Sequence, residues 1–403
     1  MFLFLFDKNY SLLTFNKDFL KTGGALYTAT EISGQQHLWS ILFDYFTEQS
    51  NAIDAFLKAA YNKVDNIILT GAGTSAFIGL SLQGSFFRNT KIITQAIATT
   101  DIVSNPHDYF NDDQSTSIIS FARSGNSPES CAALQLADKF LKKCFHLIIT
   151  CDAGGELAKY NSPNPKHVFV LPEAANDKSL AMTGSYTGML LAGLLVANIH
   201  QPKENKYQVE LLMNAAQNIL AQADILKDIM QRDFKRAVFL GSGALFGTAK
   251  ESALKLQELT DGKVICKSDT YLGLRHGPKA VIDEETLVIY FFSNSEYVQR
   301  YEHDLVYSMK DGNNAMFCLG VSENNKMIKD IDAQISYGTV GEKIAEDFLP
   351  VCAVLVGQLL GFFKSLQLGL MPDAPSVNGA ISRVVQGVNI YPVEISKSMM
   401  NYE

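Results

Sequence analysis

Three residues invite an acid–base reading. Lys255 and Glu258 stand three apart in the run Thr248–Thr260 and share a face if that run is helical. His276 sits in the long turn Ser268-Asp-Thr-Tyr-Leu-Gly-Leu-Arg-His-Gly-Pro278. A carboxylate, an ammonium and an imidazole held at one sheet edge could shuttle a proton between neighbouring sugar carbons. The same spacing equally suits an exposed ion pair, and a loop histidine can serve only as a cap.

A second set of residues suits an anion. Gly71-Ala-Gly-Thr-Ser-Ala76 and Ala122-Arg-Ser-Gly-Asn-Ser-Pro-Glu-Ser130 each follow a β-branched run and open a helical one. Backbone N–H groups at a helix start carry partial positive charge, and glycine lets them approach a phosphate. The hydroxyls of Thr74, Ser75, Ser124 and Ser127 add neutral donors, so the two loops could hold a phosphate monoester. Serine-rich turns are also ordinary N-caps. The first loop further fits the dinucleotide fingerprint G-x-G-x-x-G/A. Against a nicotinamide cofactor, the first acidic residue beyond that loop is Asp101, well past the ribose-binding position. No G-x-x-x-x-G-K-[ST] run is present for a nucleoside triphosphate, and no G-x-S-x-G elbow for a serine hydrolase.

Elements that could position these loops recur along the chain. Strand-like runs fall at Val64–Thr70, Lys91–Ala98, Ser117–Phe121, His146–Thr150 and His167–Leu171. A second set falls at Arg236–Leu240, Lys263–Cys266, Thr286–Phe292, Met316–Val321 and Gln334–Tyr337, about 170 residues later. The constant offset predicts a duplicated α/β unit, each copy a five-stranded parallel sheet between helices in a flavodoxin-like three-layer sandwich. The expected division is a leader with a helix over 1–50, a first unit over 51–200, a second over 201–370 and a C-terminal arm over 371–403. The leader helix is expected over Thr30–Ala60, amphipathic helix over His200–Asp233, and a buried helix over Ala345–Gly369. Pro372 and Pro375 block helix in the arm, which should run extended and pack back on the body. The second unit's counterpart of Ser124–Ser127 is Asn294-Ser-Glu-Tyr297, which has no glycine. One anion pocket per chain is therefore expected, in the first unit.

Composition narrows the class. Apolar residues form 47% and charged residues 19% of the 403, which excludes a disordered polymer. A net charge of −8 argues against a nucleic-acid surface, leaving small molecules as the expected partners. Met1–Phe6 is apolar but too short for a signal peptide and reads as a first strand or staple. Leu349–Phe363 is short of a bilayer span, so no membrane is expected. The six cysteines show no C-x-x-C spacing, which suits reduced thiols in the cytoplasm. The histidines show no metal-ligand spacing, so neither a metal nor another cofactor is expected.

Taken together, LTGAGTSAFIG, ISFARSGNSPES, GSGALFGTAKESALKLQELT, LRHGPK and SRVVQGV resemble the sugar isomerase (SIS) family over nearly the whole chain. Within it they are similar to the bacterial galactosamine-6-phosphate deaminases/isomerases, also known as tagatose-6-phosphate ketose/aldose isomerases. The resemblance implies two tandem SIS domains and a deaminase/isomerase acting on an amino sugar phosphate. It implies Thr74, Ser75, Ser124 and Ser127 at the phosphate, Glu258 as the base between C1 and C2 with Lys255 beside it, and His276 as the ring-opening group, reaching in from a second subunit of a homodimer or larger oligomer. Gly73, Arg123, Asn126 and Arg383 are further candidates for substrate contact. The absence of a glutaminase domain and an N-terminal cysteine favours the ammonia-releasing direction. Alternatives of other kinds are plain ketose/aldose isomerisation, a non-catalytic sugar-phosphate-binding regulator, and a nicotinamide-dependent oxidoreductase.

Overall fold

A computed structural model describes residues 11–312, 314–385 and 387–393. The expectation for Met1–Phe6 lies outside them. The chain opens with a small antiparallel hairpin, β1 (Ser11–Leu12) and β2 (Phe15–Asn16). The first unit's strands are β3 (Asn66–Thr70), β4 (Ile93–Ala96), β5 (Ser115–Ala122), β6 (Lys143–Thr150) and β7 (Lys166–Val170). The second unit's are β8 (Arg236–Leu240), β9 (Ile265–Asp269), β10 (Thr286–Phe291), β11 (Phe317–Ser322) and β12 (Ala333–Ser336). Each of the ten expected runs overlaps a strand, though by only two residues at β9.

Both sheets are wholly parallel. Their orders, β4-β3-β5-β6-β7 and β12-β11-β10-β8-β9, are the same arrangement when each unit is numbered from its own first strand. Strand order therefore reverses between β3 and β5 in one unit and between β8 and β10 in the other. Such a reversal opens a crevice beyond the carboxyl ends of the strands, because the following connections leave to opposite faces. Thr70 pairs with Ser120, so the loops after β3 and β5 emerge side by side.

The alternation of side chains along each strand divides the core. Ile67, Leu69, Ile119, Phe121, Leu147 and Ile149 of the first sheet share one continuous core with Ala237, Phe239, Leu287, Ile289 and Phe291 of the second. The same core takes in helices Gln35–Tyr61, Thr74–Thr90, Gly184–Ala197, Pro202–Ala221, Leu245–Leu259 and Leu349–Gln367. Ile68 and Ile118, and likewise Val238 and Val288, point to the opposite faces and belong to separate smaller clusters. The two units thus share a central helical layer. Every residue of Gly184–Ala197 is buried, which explains its apolar character on all sides. Glu346–Gln367 is long and apolar enough to cross a membrane, but 94% of its apolar window is buried inside the protein, where Gln35 donates to Gln358 at 2.6 Å.

Several boundaries differ from the sequence reading. The stretch expected as one leader helix falls in two, Leu26–Ser33 and Gln35–Tyr61, broken at Gly34, and a further helix, Lys17–Thr22, precedes them. The linking stretch forms Pro202–Ala221 and Ala223–Ile229, broken at Gln222. The last long helix begins at Leu349, with Pro350 in its first turn, where a missing N–H costs nothing. Beyond Met371 the described residues run without helix or strand and are tied to the body. Asp373 accepts the Thr28 N–H and hydroxyl, each at 2.8 Å, and its own N–H donates to Gly24. The six cysteines are free, three buried and three half-buried.

Candidate active site

The crevice between β3 and β5 holds a cavity of about 360 Å³. On one side Gly73, with φ +55° and ψ −124°, turns the chain from β3 into helix Thr74–Thr90. A side chain would be strained in that conformation, which accounts for the glycine. Thr74 and Ser75 follow it into the cavity wall. On the other side Arg123, Ser124 and Ser127 come from the loop after β5, with Pro128 opening helix Pro128–Phe140. Two helix N-termini and four hydroxyls therefore converge on one space, an arrangement suited to an oxyanion.

The third wall comes from the other unit. Lys255 and Glu258, on helix Leu245–Leu259, line the same cavity. That helix reaches the first unit because it crosses helix Thr74–Thr90 at Gly247, where a Cβ would stand 2.2 Å from Ser81 Oγ and 2.6 Å from the Phe77 carbonyl. Lys255 Nζ donates to Thr74 Oγ1 at 3.1 Å and is ion-paired with Glu258. Lys255 is 1% exposed and Glu258 22%. Burial depresses the Lys255 pKa, but Glu251 and Glu258 together outweigh it and hold the ammonium above its ordinary value. Lys255 is thus a fixed cation, and Glu258 the carboxylate that reaches open space.

Sequence reasoning missed two carboxyls here. Glu251, one turn before Lys255, is wholly buried, and its Oε1 accepts the Thr74 hydroxyl at 3.4 Å. Glu129 lines the cavity and accepts the Ser127 hydroxyl at 2.8 Å. For Glu251 the signal was the i, i+4, i+7 spacing with Lys255 and Glu258. For Glu129 it was the first-turn position next to Pro128.

The fourth wall is the arm, through Ala380–Arg383 and Val385. Arg123 is buried and bonded away from the open space, donating to the Leu180 carbonyl at 3.1 Å and the Arg383 carbonyl at 2.6 Å. Burial, then the neighbouring Arg383, lowers its pKa. Arg383 donates to Asn176 Oδ1 at 2.8 Å and to the Asp177 carbonyl. Both arginines therefore lash the arm and the segment after β7 to the loop after β5. Asn126 is exposed and lies outside the lining, accepting the Glu156 N–H at 3.1 Å. His276 is exposed on the turn after β9 and is not among the residues lining its own chain's cavity.

The matching crevice of the second unit has the opposite character. Ser293 N donates to Glu302 at 3.0 Å, its hydroxyl to Glu346, and Asn294 Nδ2 to Glu323 at 2.6 Å. A dianion there would face three carboxyls. Away from both crevices, Asp138, Cys144 and His146 bring metal-competent atoms together. Asp138 already accepts from Cys144, His146, Tyr160, Ser162 and Asn164, and His146 Nδ1 is buried without a partner. The second-shell acceptor that orients a ligating imidazole is thus missing, and the cluster is a hydrogen-bonded brace between helix and sheet.

Comparison with known proteins bears on the family and the fold. The SIS domain model matches residues 60–199 and 231–354. The chain is 38% identical over 394 residues to D-galactosamine-6-phosphate deaminase AgaS of Shewanella sp. (strain ANA-3), covering 96% of this chain and 97% of that one. The crystal structure of tagatose-6-phosphate ketose/aldose isomerase from Escherichia coli matches with a TM-score of 0.80 at 35% identity, over 91% of this chain and 96% of that one. A Clostridium novyi NT structure, provisionally named for the same isomerase, matches with a TM-score of 0.91 at 40% identity, over 95% and 100% of the two chains.

Proposed function

The chain belongs to the SIS domain family, and on that premise we propose that it converts D-galactosamine 6-phosphate and water to D-tagatose 6-phosphate and ammonia. The observation that carries the reading is that hydroxyl-bearing helix starts of one unit and the Lys255–Glu258 pair of the other face a single cavity of about 360 Å³. Thr74, Ser75, Ser124 and Ser127 hold the phosphate in this proposal, so that binding energy at C6 orients C1 and C2. Glu258 takes the proton from C2 of the open-chain aldose and returns it at C1, while a proton passes from the amine nitrogen to O1, which leaves a hydroxyl on C1 and an imine at C2. Water adds to that carbon, and the carbon–nitrogen bond breaks as ammonia leaves. Proton relay of this kind contributes roughly 10²–10⁴-fold.

Lys255 pairs with Glu258 and holds it in place. The first unit, over 51–200, supplies the phosphate site and the second, over 201–370, the acid–base helix. His276, exposed on its own chain, is proposed to open the sugar ring in the cavity of a second subunit, which requires at least a homodimer. Sugar phosphates do not cross bilayers unaided, which puts the proposed site of action in the cytoplasm. The names of the Escherichia coli and Clostridium novyi NT neighbours favour a second activity at the same site, aldose–ketose isomerisation without loss of nitrogen. It needs the same proton transfer and differs only in what occupies C2. An ammonia-release assay with galactosamine 6-phosphate and glucosamine 6-phosphate side by side tests the reading. Release from the galacto isomer is expected, and release from neither would overturn it.

A further inference from the structure

The proton-transfer pair rests on a residue it does not itself require. Lys255 is buried with its ammonium, and an ammonium carries three N–H donors that need three acceptors when water is excluded. Glu258 and Thr74 Oγ1 supply two. The third group in reach is Glu251 Oε1, in an ion pair 3.5 Å from Lys255 Nζ. Thr74 closes the triangle, since its oxygen accepts from Lys255 while its hydroxyl donates to Glu251 at 3.4 Å. Glu251 is wholly buried and is not among the cavity-lining residues, so it cannot meet a ligand there itself.

We propose that Glu251 is a positioning residue: by completing the partners of the Lys255 ammonium and accepting the Thr74 hydroxyl beside it, it fixes Glu258 for proton transfer. The proposal deepens the reading of Glu258 as the base and rests on it. Burial pushes the Glu251 carboxyl up to about 8, with Lys255 opposing and Glu258 adding to the rise. A glutamine, which keeps one acceptor oxygen at the same reach, should replace it as a partner of Lys255 and Thr74. A methionine of similar length keeps no oxygen.

The test compares Glu251→Met, Glu251→Gln and Glu258→Gln for ammonia release from galactosamine 6-phosphate. Inhibition by inorganic phosphate and the melting temperature are measured on each. Glu251→Met should lower kcat on the order of 10–100-fold, the scale of a misplacement of about 1 Å, while phosphate inhibition stays within about threefold of the parent. Glu251→Gln should recover kcat to within about fivefold. Should the methionine variant not fold, Glu251→Ala, which leaves space rather than bulk, makes the same comparison. An unchanged kcat in the variants without an oxygen, or equal loss in Glu251→Gln, would overturn the proposal. So would a loss that follows phosphate affinity. If Glu258→Gln turns over substrate normally, the reading of Glu258 fails; if it is inactive while Glu251→Met is normal, only the positioning role fails.

Discussion

The meeting of two units at one cavity depends on a contact that a single methyl group can disturb. In Gly247→Ala the new Cβ would lie 2.2 Å from Ser81 Oγ and 2.6 Å from the Phe77 carbonyl oxygen. Ser81 Oγ can rotate away only by giving up its hydrogen bond to the Ala244 carbonyl, and the Phe77 carbonyl belongs to a helix backbone that cannot rotate. Restoring ordinary contact with that carbonyl requires the helices to separate by roughly 0.5–1 Å, and overpacking of this kind typically costs about 1–3 kcal/mol. For a chain of this length that is a fall of only a few degrees in Tm. The effect on turnover should be larger. The Lys255–Thr74 bond, at 3.1 Å, spans the same helix pair and has little length to spare before it ceases to be a hydrogen bond. We expect kcat for ammonia release to drop about 10–100-fold, measured well below the melting range so that unfolding does not contribute. An unchanged kcat together with an unchanged Tm would show that the crossing does not set the geometry of the pair.

Replacing Ser124 and Ser127 together by alanine removes two hydroxyls from the phosphate cradle. At about 1.5 kcal/mol or more for each hydrogen bond to a charged group, KM should rise on the order of 10²-fold with kcat little changed, and steady-state kinetics showing a normal KM would remove those residues from the site. Acid should stabilise the fold through neutral pH. Burial pushes Glu302 and Glu251 up to about 8 and Glu31 up to about 7, all from a carboxylate value of 4.5. The native state therefore holds protons that the unfolded chain has released, and stability declines as pH rises from about 4.5 to about 8, by up to roughly 1.4 kcal/mol per unit for each group. Scanning calorimetry should give a higher Tm at pH 6 than at pH 8.5, with a shallower slope in Glu302→Gln; a Tm that rises with pH over this range would contradict the assignment. Arg383→Ala releases the arm from Asn176 and Asp177, so limited proteolysis should cut 371–393 faster and KM should rise several-fold, whereas an unchanged cleavage rate would mean that other contacts hold the arm.

Much of this architecture was legible in the sequence because its signals are local. Each sheet strand is a short β-branched run, and the shift near 170 residues pairs the two sets. The two loops that wall the cavity were legible for the same reason: Gly73 and Pro128 mark backbone conformations that few other residues adopt so readily. The rest depends on contacts between distant segments. Glu251, Lys255 and Glu258 have the spacing of a solvated charged stripe, and nothing within the helix tells that stripe from one pressed against Thr74. Arg123 and Arg383 stand in the sequence as candidates for substrate contact, but donors of both are taken by backbone carbonyls and an amide.

The duplication explains why one chain has one such site. Both units keep the strand reversal that creates a crevice, so topology alone would provide two. The missing glycine in Asn294–Tyr297 is only part of the difference. In the second crevice Ser293 and Asn294 are committed to Glu302, Glu323 and Glu346, and Glu302 Oε1 is buried without a partner. A single glycine introduced there would leave that field in place and would not create a phosphate site. The second unit instead offers a different part, the helix after β8, to the first unit's cavity. In the proposed reaction, fixing the anion with one copy and moving the proton with the other requires the two helices to touch. The close crossing at Gly247 is therefore as much a part of the chemistry as the carboxylate it delivers.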